Sequence, residues 1–312
     1  MTTQGIHHIT AIASDAKKTV AFFSNILGLR LVKKSVNQDD VSTYHLFFGD
    51  RFGHPGMDLT FFIFLPSSQG KLGNGQVTTI SFAVQPFALQ FWIERFDRLY
   101  VTHTGIEEVR DTKRVGFSDP DGMHYELVGV TEQKKETDPA IWTTHEISEE
   151  FAIRSFYSAG LSVPDRMLIE PVLVDVFGYE HMESYGNVHS YQLPSEKRAS
   201  RLDVIETPIS PWGVSGAGTV HHIAFRAKDT EQQYALREKV IALGLMPTDV
   251  IDRFYFRSVY FRTTGGILFE IATDAPGFTA DEDEKELGMH LALPPFLEAQ
   301  REEIEAHLVP LP

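Results

Sequence analysis

GIHHITAIASDAKKTVAFFSNILG, residues 5–28, returns in altered form as SFYSAGLSVPDRMLIEPVLVDVFG, residues 155–178, and the two align without a gap. Each reads as a short alternating strand, then an aspartate (Asp15 or Asp165) placed to cap a helix, then an apolar-faced helix. Each ends at a glycine, Gly28 or Gly178, suited to the left-handed turn that closes a helix. In the first copy Val20, Phe23 and Leu27 form the apolar face. A third copy opens at Thr219 with the strand HHIAFRA, followed by a helix over 231–243 that stops at Gly244. A weaker copy has the strand VTTISFAV (77–84) and a helix over 87–101 after Pro86.

The repeats also share their tails. VGFSDPDGMHYELV (115–128) matches VYFRTTGGILFEIA (259–272), each a strand, a glycine turn and a returning strand. Every unit therefore reads β-α-β-β-β. The expected modules are 1–65, 76–131, 150–207 and 218–274, with a tail over 275–312 that carries a helix at 294–308. LPSSQGKLGNGQ (65–76) and SPWGVSGAG (210–218) read as loops and TEQKKETD (131–138) as a polar linker. The fold class expected is α+β, with four such modules building two open mixed-sheet barrels.

Composition removes several functions. A net charge of −15 repels phosphate backbones and anionic lipid, so neither a nucleic acid nor a membrane surface is an expected partner. The chain has no cysteine, which excludes disulfides, thiolate metal sites and a cysteine nucleophile. Any metal must be held by nitrogen and oxygen. The first residues resemble no export signal and no stretch is apolar for long enough to span a bilayer, so a cytoplasmic protein is expected, either alone or as a homo-oligomer.

Paired β-α-β-β-β units around a curved sheet resemble the vicinal oxygen chelate superfamily, the glyoxalase/bleomycin-resistance/dioxygenase fold, over residues 5–275. That resemblance implies metal ligands on the first and last strands of each unit. The first-strand positions are His8, Thr79, Ser158 and His222, and the clear last-strand positions are Glu126 and Glu270. Pairing module one with two, and three with four, gives two half-sites. Pairing one with four collects His8, His222 and Glu270, and leaves Thr79, Ser158 and Glu126 as a degenerate site. Two histidines and one carboxylate with open positions are the ligand set of non-haem Fe(II) oxygenases, and Mn(II) fits the same set.

A narrower resemblance rests on GIHHIT, YHLFFGDRFGHPGMDLTFF (44–62), GTVHHIAF (218–225), DRFYFRSVYFRTTGGILFEIATD (252–274) and the closing LALPPFLEAQREEIEAHLVPLP. Together these resemble the hydroquinone-cleaving branch of the extradiol dioxygenases, the dichlorohydroquinone 1,2-dioxygenase-like group. The resemblance implies an Fe(II)-dependent enzyme that opens aromatic diols with O2 and places both oxygen atoms in the product. It implies His8, His222 and Glu270 as metal ligands, with His7, His221, Arg253 and Tyr260 in catalysis. Thr10, Arg253 and Tyr260 are implied in substrate binding. Strand alternation sets His7 and His221 against their neighbours' face, so their role is catalytic support or core filling. The alternatives are a glyoxalase-type lyase or isomerase, which a fourth protein ligand would favour, and a non-catalytic protein that binds aromatic or quinone compounds.

Other features read more simply. His45 in a strand, His54 in a turn and His124 beside Glu126 are expected to be structural or exposed. DEDEKE (281–286) reads as a solvated face. Phe296, Leu297, Ile304 and Leu308 are expected to turn the tail helix toward an apolar partner.

Overall fold

The computed structural model describes residues 2–131, 140–194 and 198–311, so most of the 131–138 linker expected from sequence lies outside the described residues. Two eight-stranded mixed sheets curl into half-barrels. The first contains β1 (Ile6–Ala13), β2 (Arg30–Asn37), β3 (Asp40–Gly49) and β4 (Asp58–Ile63). The second contains β5 (Gln76–Val84), β6 (His103–Val109), β7 (Thr112–Ser118), β8 (His124–Gly129), β9 (Ser155–Val163), β10 (Glu180–Tyr185), β11 (Val188–Gln192) and β12 (Arg201–Glu206). The chain then returns to the first sheet with β13 (Thr219–Ala227), β14 (Ile251–Asp252), β15 (Arg257–Arg262) and β16 (Leu268–Thr273).

Strand order is β14-β15-β16-β13-β1-β4-β3-β2 in the first sheet and β10-β11-β12-β9-β5-β8-β7-β6 in the second. Each sheet is thus two copies of one four-strand pattern joined back to back. The joints are the antiparallel pairs β1–β13 and β5–β9. The first and last quarters of the chain meet across β1–β13, and the middle half closes on itself.

Helices pack on the sheets' convex sides. Asp15 caps the first one, its carboxylate accepting from the Lys18 amide at 3.0 Å. The sequence suggests one helix up to Leu27. Instead α1 (Ala16–Val20) widens into a π-helix over Ala21–Ile26. Phe22 and Phe23 of this turn are both buried in the core. The equivalent segment in the third repeat is also a π-helix, Val172–Phe177, closed by Gly178 at φ 82°. The helices α2 (Ala88–Arg98) and α3 (Thr230–Ala242) occupy the other two equivalent places.

The tail departs from the sequence reading in two respects. The expected helix over 294–308 is α4 (Arg301–His307), preceded by a single tight turn. Pro294 and Pro295 oppose an earlier start. Leu297, Ile304 and Leu308 are buried, but Phe296 is exposed. The acidic run 281–286 is not simply a solvated face. Lys33, fully buried on β2, directs its ammonium at Asp281 (2.7 Å) and Glu282. A buried ammonium needs such partners. The Tyr255 hydroxyl donates to the same Asp281 at 2.8 Å, so the tail is tied to the β14–β15 turn.

A buried acid, Asp119, organises a turn that touches the first sheet through its neighbour Asp121. In the β7–β8 turn, Asp119 accepts from the amides of Asp121 and Met123 and from the Tyr125 hydroxyl. Its neighbour Asp121 accepts from Ser14, at the end of β1. Burial pushes the Asp119 carboxyl up to about 6. An unfolded aspartate titrates near ~3.9, so between ~pH 4 and 6 the folded form holds more protons and stability falls as pH rises. Asp119→Asn keeps the backbone acceptor and removes the ionisation. Denaturant unfolding should find it about 1–2 kcal/mol more stable than the parent at pH 8 and not more stable at pH 4. An equal gain at both pH values would count against the ionisation argument.

Candidate metal centre

The sheet register puts the site on one concave face. His8 pairs with Ala224 across β1–β13, and Ala224 pairs with Glu270 across β13–β16. His222 lies two residues before Ala224 and so shares its face. Tyr260 stands directly opposite Glu270 across β15–β16, and Ser258 lies two residues along the same strand. Thr10 faces His222, and Thr60 on β4 faces Thr10.

His8, His222 and Glu270 are all buried and converge. His8 Nε2 is 3.2 Å from His222 Nε2 and 3.2 Å from Glu270 Oε2, and His222 Nε2 is 2.9 Å from Glu270 Oε2. Three donors at right angles, each about 2.1 Å from one ion, lie about 3.0 Å apart, so this triangle has the dimensions of three adjacent positions on a small divalent metal.

Hydrogen bonding sets the donors' protonation. His7 Nε2 donates to the Thr273 carbonyl at 3.2 Å, so His7 Nδ1 is an acceptor. His8 Nδ1 lies 2.9 Å from it and supplies the proton, which leaves a lone pair on His8 Nε2. His222 Nδ1 is likewise 2.8 Å from His221 Nδ1. With its proton on Nδ1 toward His221, His222 carries its lone pair on Nε2, which lies 2.9 Å from the Thr10 hydroxyl.

Burial lowers the pKa of His222 and puts that of His7 well below the ordinary imidazole value. The Glu270 carboxyl is held well below the usual range, against its burial, by the positive charge that His8 and His222 carry when protons sit between the three groups, the place a cation would take. Ser258 donates to Glu270 Oε1 at 2.5 Å, whereas the inward Oε2 has no hydrogen-bond donor. Two nitrogen lone pairs and an anionic oxygen facing one point is an arrangement that a cation satisfies.

The opposite half contains the degenerate counterpart. Thr79, Ser158 and Glu126 line one cavity on the second sheet with Arg110 and Arg114. Arg114 reaches Glu126 at 3.1 Å and Ser81 donates to it at 2.8 Å. A guanidinium here meets the carboxylate that in the first sheet faces only histidines and Ser258.

The open side of the triad gives onto a small cleft lined by His45, Phe47, Phe62, Arg253, Phe256 and Tyr260 among others. Tyr260 lies 5.7 Å from the His222 ring, centre to centre. Burial and then the Glu270 charge raise its phenol above the ordinary value, against Arg253 and Ser258, so it stays protonated at neutral pH. Arg253 lies over the Tyr260 ring at 5.5 Å. It is presented by a tight turn in which Phe254 takes φ 71°, a left-handed conformation that is costly for a phenylalanine, and the same turn brings Tyr255 and Phe256 to the cavity wall.

Of the residues singled out from sequence, His8, His222, Glu270, Tyr260 and Arg253 meet at this cavity. Thr10 is fully buried and touches His222 rather than open space. His7 backs onto His8 and lines a separate cavity behind it, and His221 is exposed on the far side of His222. Sequence reading assigned His45 to the structural class, but it lies on the cavity wall, packed on Phe47 and Phe62, with Nε2 2.9 Å from the Thr60 hydroxyl. Its place on β3, two strands from β1, was available from alternation once the strand order was known.

The Glyoxalase/Bleomycin resistance protein/Dioxygenase superfamily profile matches residues 5–127. The Bacillus subtilis (strain 168) protein named "Putative ring-cleaving dioxygenase MhqO" is 40% identical over 99% of this chain and 96% of its own length. A chlorohydroquinone/hydroquinone 1,2-dioxygenase of Sphingobium indicum is 33% identical over 96% of this chain and 94% of its own. A crystal structure described as "putative dioxygenase from Bacillus subtilis" superposes with a TM-score of 0.93 at 40% identity, covering 100% of this chain and 98% of that one. The chain belongs to the glyoxalase/bleomycin resistance/dioxygenase superfamily and, within it, to the family of these ring-cleaving dioxygenases.

Proposed function

We propose that this protein is an Fe(II)-dependent extradiol-type dioxygenase that opens the ring of hydroquinones or related aromatic diols and places both atoms of O2 in the product. The observation that carries the reading is the open side of the triad. All three donors come from β1, β13 and β16, and the remaining side faces a cavity walled by aromatic rings and furnished with Arg253 and Tyr260. Full-length relatives named for ring cleavage support it. In this reading residues 1–65 and 218–274 make the metal-binding half, and 76–131 with 150–207 make a half without a metal.

His8, His222 and Glu270 would hold the ion, and Mn(II) could take the same place. Bound Fe(II) would supply the one-electron chemistry that allows dioxygen to react with a diol. The protein's own part is positional and electrostatic. The His7 and His221 rings fix the orientation of the two ligand imidazoles. Phe47, Phe62 and Phe256 exclude water and hold an aromatic ring edge-on or stacked. Tyr260, as a protonated phenol, donates a hydrogen bond or a proton where oxygen charge develops, and Arg253, lying over the Tyr260 ring, positions it.

A glyoxalase-like lyase or a binding protein would share the fold but not the oxygen chemistry. The test is anaerobic reconstitution with Fe(II), Mn(II) or Zn(II), followed by oxygen uptake with hydroquinone and its substituted forms. Uptake of one O2 per diol with Fe(II), and none with Zn(II), is the expected result. Zinc has no redox chemistry, so equal turnover with zinc, or diol binding without uptake under any metal, would reject the reading.

A further inference from the structure

Arg253 is a cation at the mouth of an aromatic cavity. Left alone, its planar fork would suit a carboxylate on the ring of an incoming ligand. The fork is already filled. Asp39, from the turn between β2 and β3, accepts from both terminal nitrogens at 3.1 and 2.8 Å. The preceding residue, Gln38, donates its side-chain amide to the Arg253 carbonyl at 2.9 Å. Asn37 accepts from the Asp39 amide at 2.9 Å and holds the turn in shape. Asn37, Gln38, Asp39 and Arg253 all line the cavity. One turn from the start of the chain is thus pinned to one residue from near its end, across the cavity's opening. The Arg253 side chain is only 18% exposed, while Asp39 is 72% exposed.

We propose that Asp39 is a specificity-determining residue: it occupies the Arg253 fork and turns the site against aromatic diols that carry a carboxylate, in favour of diols with no charge beyond their hydroxyls. The inference rests on the diol-binding reading above. A ring-borne carboxylate must evict Asp39 and then sit beside it, and two like charges at that range repel. A neutral ring meets a charge-balanced pair and can leave it closed. Glutamate at this place would still reach the fork, and asparagine would not neutralise it.

The experiment uses the full-length, Fe(II)-loaded protein under anaerobic conditions at neutral pH. Hydroquinone, 2,5-dihydroxybenzoate and benzoate are titrated against the parent, Asp39→Asn, Asp39→Glu and the double variant Asp39→Asn/Arg253→Met. The readout is the ratio of the two diols' dissociation constants. In Asp39→Asn it should move toward the carboxylated diol by at least about tenfold, the scale of one charge-assisted contact. Asp39→Glu should retain the parent ratio, and the double variant should lose the gain. A ratio within about twofold of the parent in Asp39→Asn, or a gain that survives in the double variant, overturns the proposal. Benzoate separates the two claims. If neither diol binds but benzoate binds Asp39→Asn more tightly than the parent, the masking stands and the diol reading falls. If benzoate also fails to distinguish the variants, both fall.

Discussion

Glu270→Gln should abolish metal binding and activity while the chain stays folded. Glutamine matches the volume of the side chain and can still accept from Ser258, so the strand pairing of β16 with β13 and β15 has no reason to change. What disappears is the anionic oxygen that lies within 3.2 Å of both histidine nitrogens. Loss of a mere outer partner of a ligand costs about 10–100-fold in metal affinity, so loss of the sole anionic ligand should exceed about a hundredfold. The measurement is thermal or denaturant unfolding with and without added Fe(II) or Zn(II), alongside metal content. At metal equal to about one hundred parent dissociation constants, the parent gains about 2.7 kcal/mol and the variant well under 1 kcal/mol. A variant that retains one ion per chain and the full stabilisation would remove Glu270 from the ligand set. Because the readout is stability, it works even with no substrate in hand.

Tyr260→Phe should slow turnover by about a hundredfold and change the substrate KM by no more than a few-fold. A positioned general acid typically contributes 10²–10⁴-fold, and the lower end is expected because the three donors and the rest of the cavity wall are unchanged. The position supports it: Tyr260 is the cross-strand partner of Glu270, and antiparallel neighbours are only about 5 Å apart. Its raised pKa keeps the proton available at neutral pH, so the phenol donates rather than accepts. A hydrogen bond that strengthens as charge develops lowers the barrier, whereas one of constant strength only tightens binding. Steady-state kinetics at matched iron occupancy decide between them. Unchanged turnover would return Tyr260 to the role of an aromatic wall beside Phe256.

Most of the fold was legible because the chain states it four times. Gly178 in a left-handed turn and Asp15 on an amide are local events, and local events leave local signatures. His8, His222 and Glu270 could be singled out together because the superfamily resemblance implied the strand positions and the repeats could be compared at them, and Tyr260 because the narrower resemblance implied it and it lies on the hairpin before Glu270. Features that depend on long-range meetings were not visible. Nothing near residues 281–286 announces a buried lysine on β2, so a run with two counterions in it looks like ordinary surface charge. Nothing near His45 shows that β3 borders the site through β4. The pairing of Asp39 with Arg253 joins two turns from opposite ends of the sequence, and turns carry no periodicity from which to infer a partner. The π-helical stretches were missed for a different reason: apolar spacing over six residues fits both ladders.

The seam between β1 and β13 has a consequence for how the protein is made. The second sheet is one unbroken stretch of chain and can close during synthesis, whereas β1 must keep an unpaired edge until β13 emerges. An unfinished chain therefore offers a single member of the triad, too few donors to hold an ion firmly. A ribosome that stalls, or a protease that clips the last quarter, leaves a product without two of the three donors. The donor set is complete only once β13 has joined β1, and that joining acts as a check on the integrity of the polypeptide.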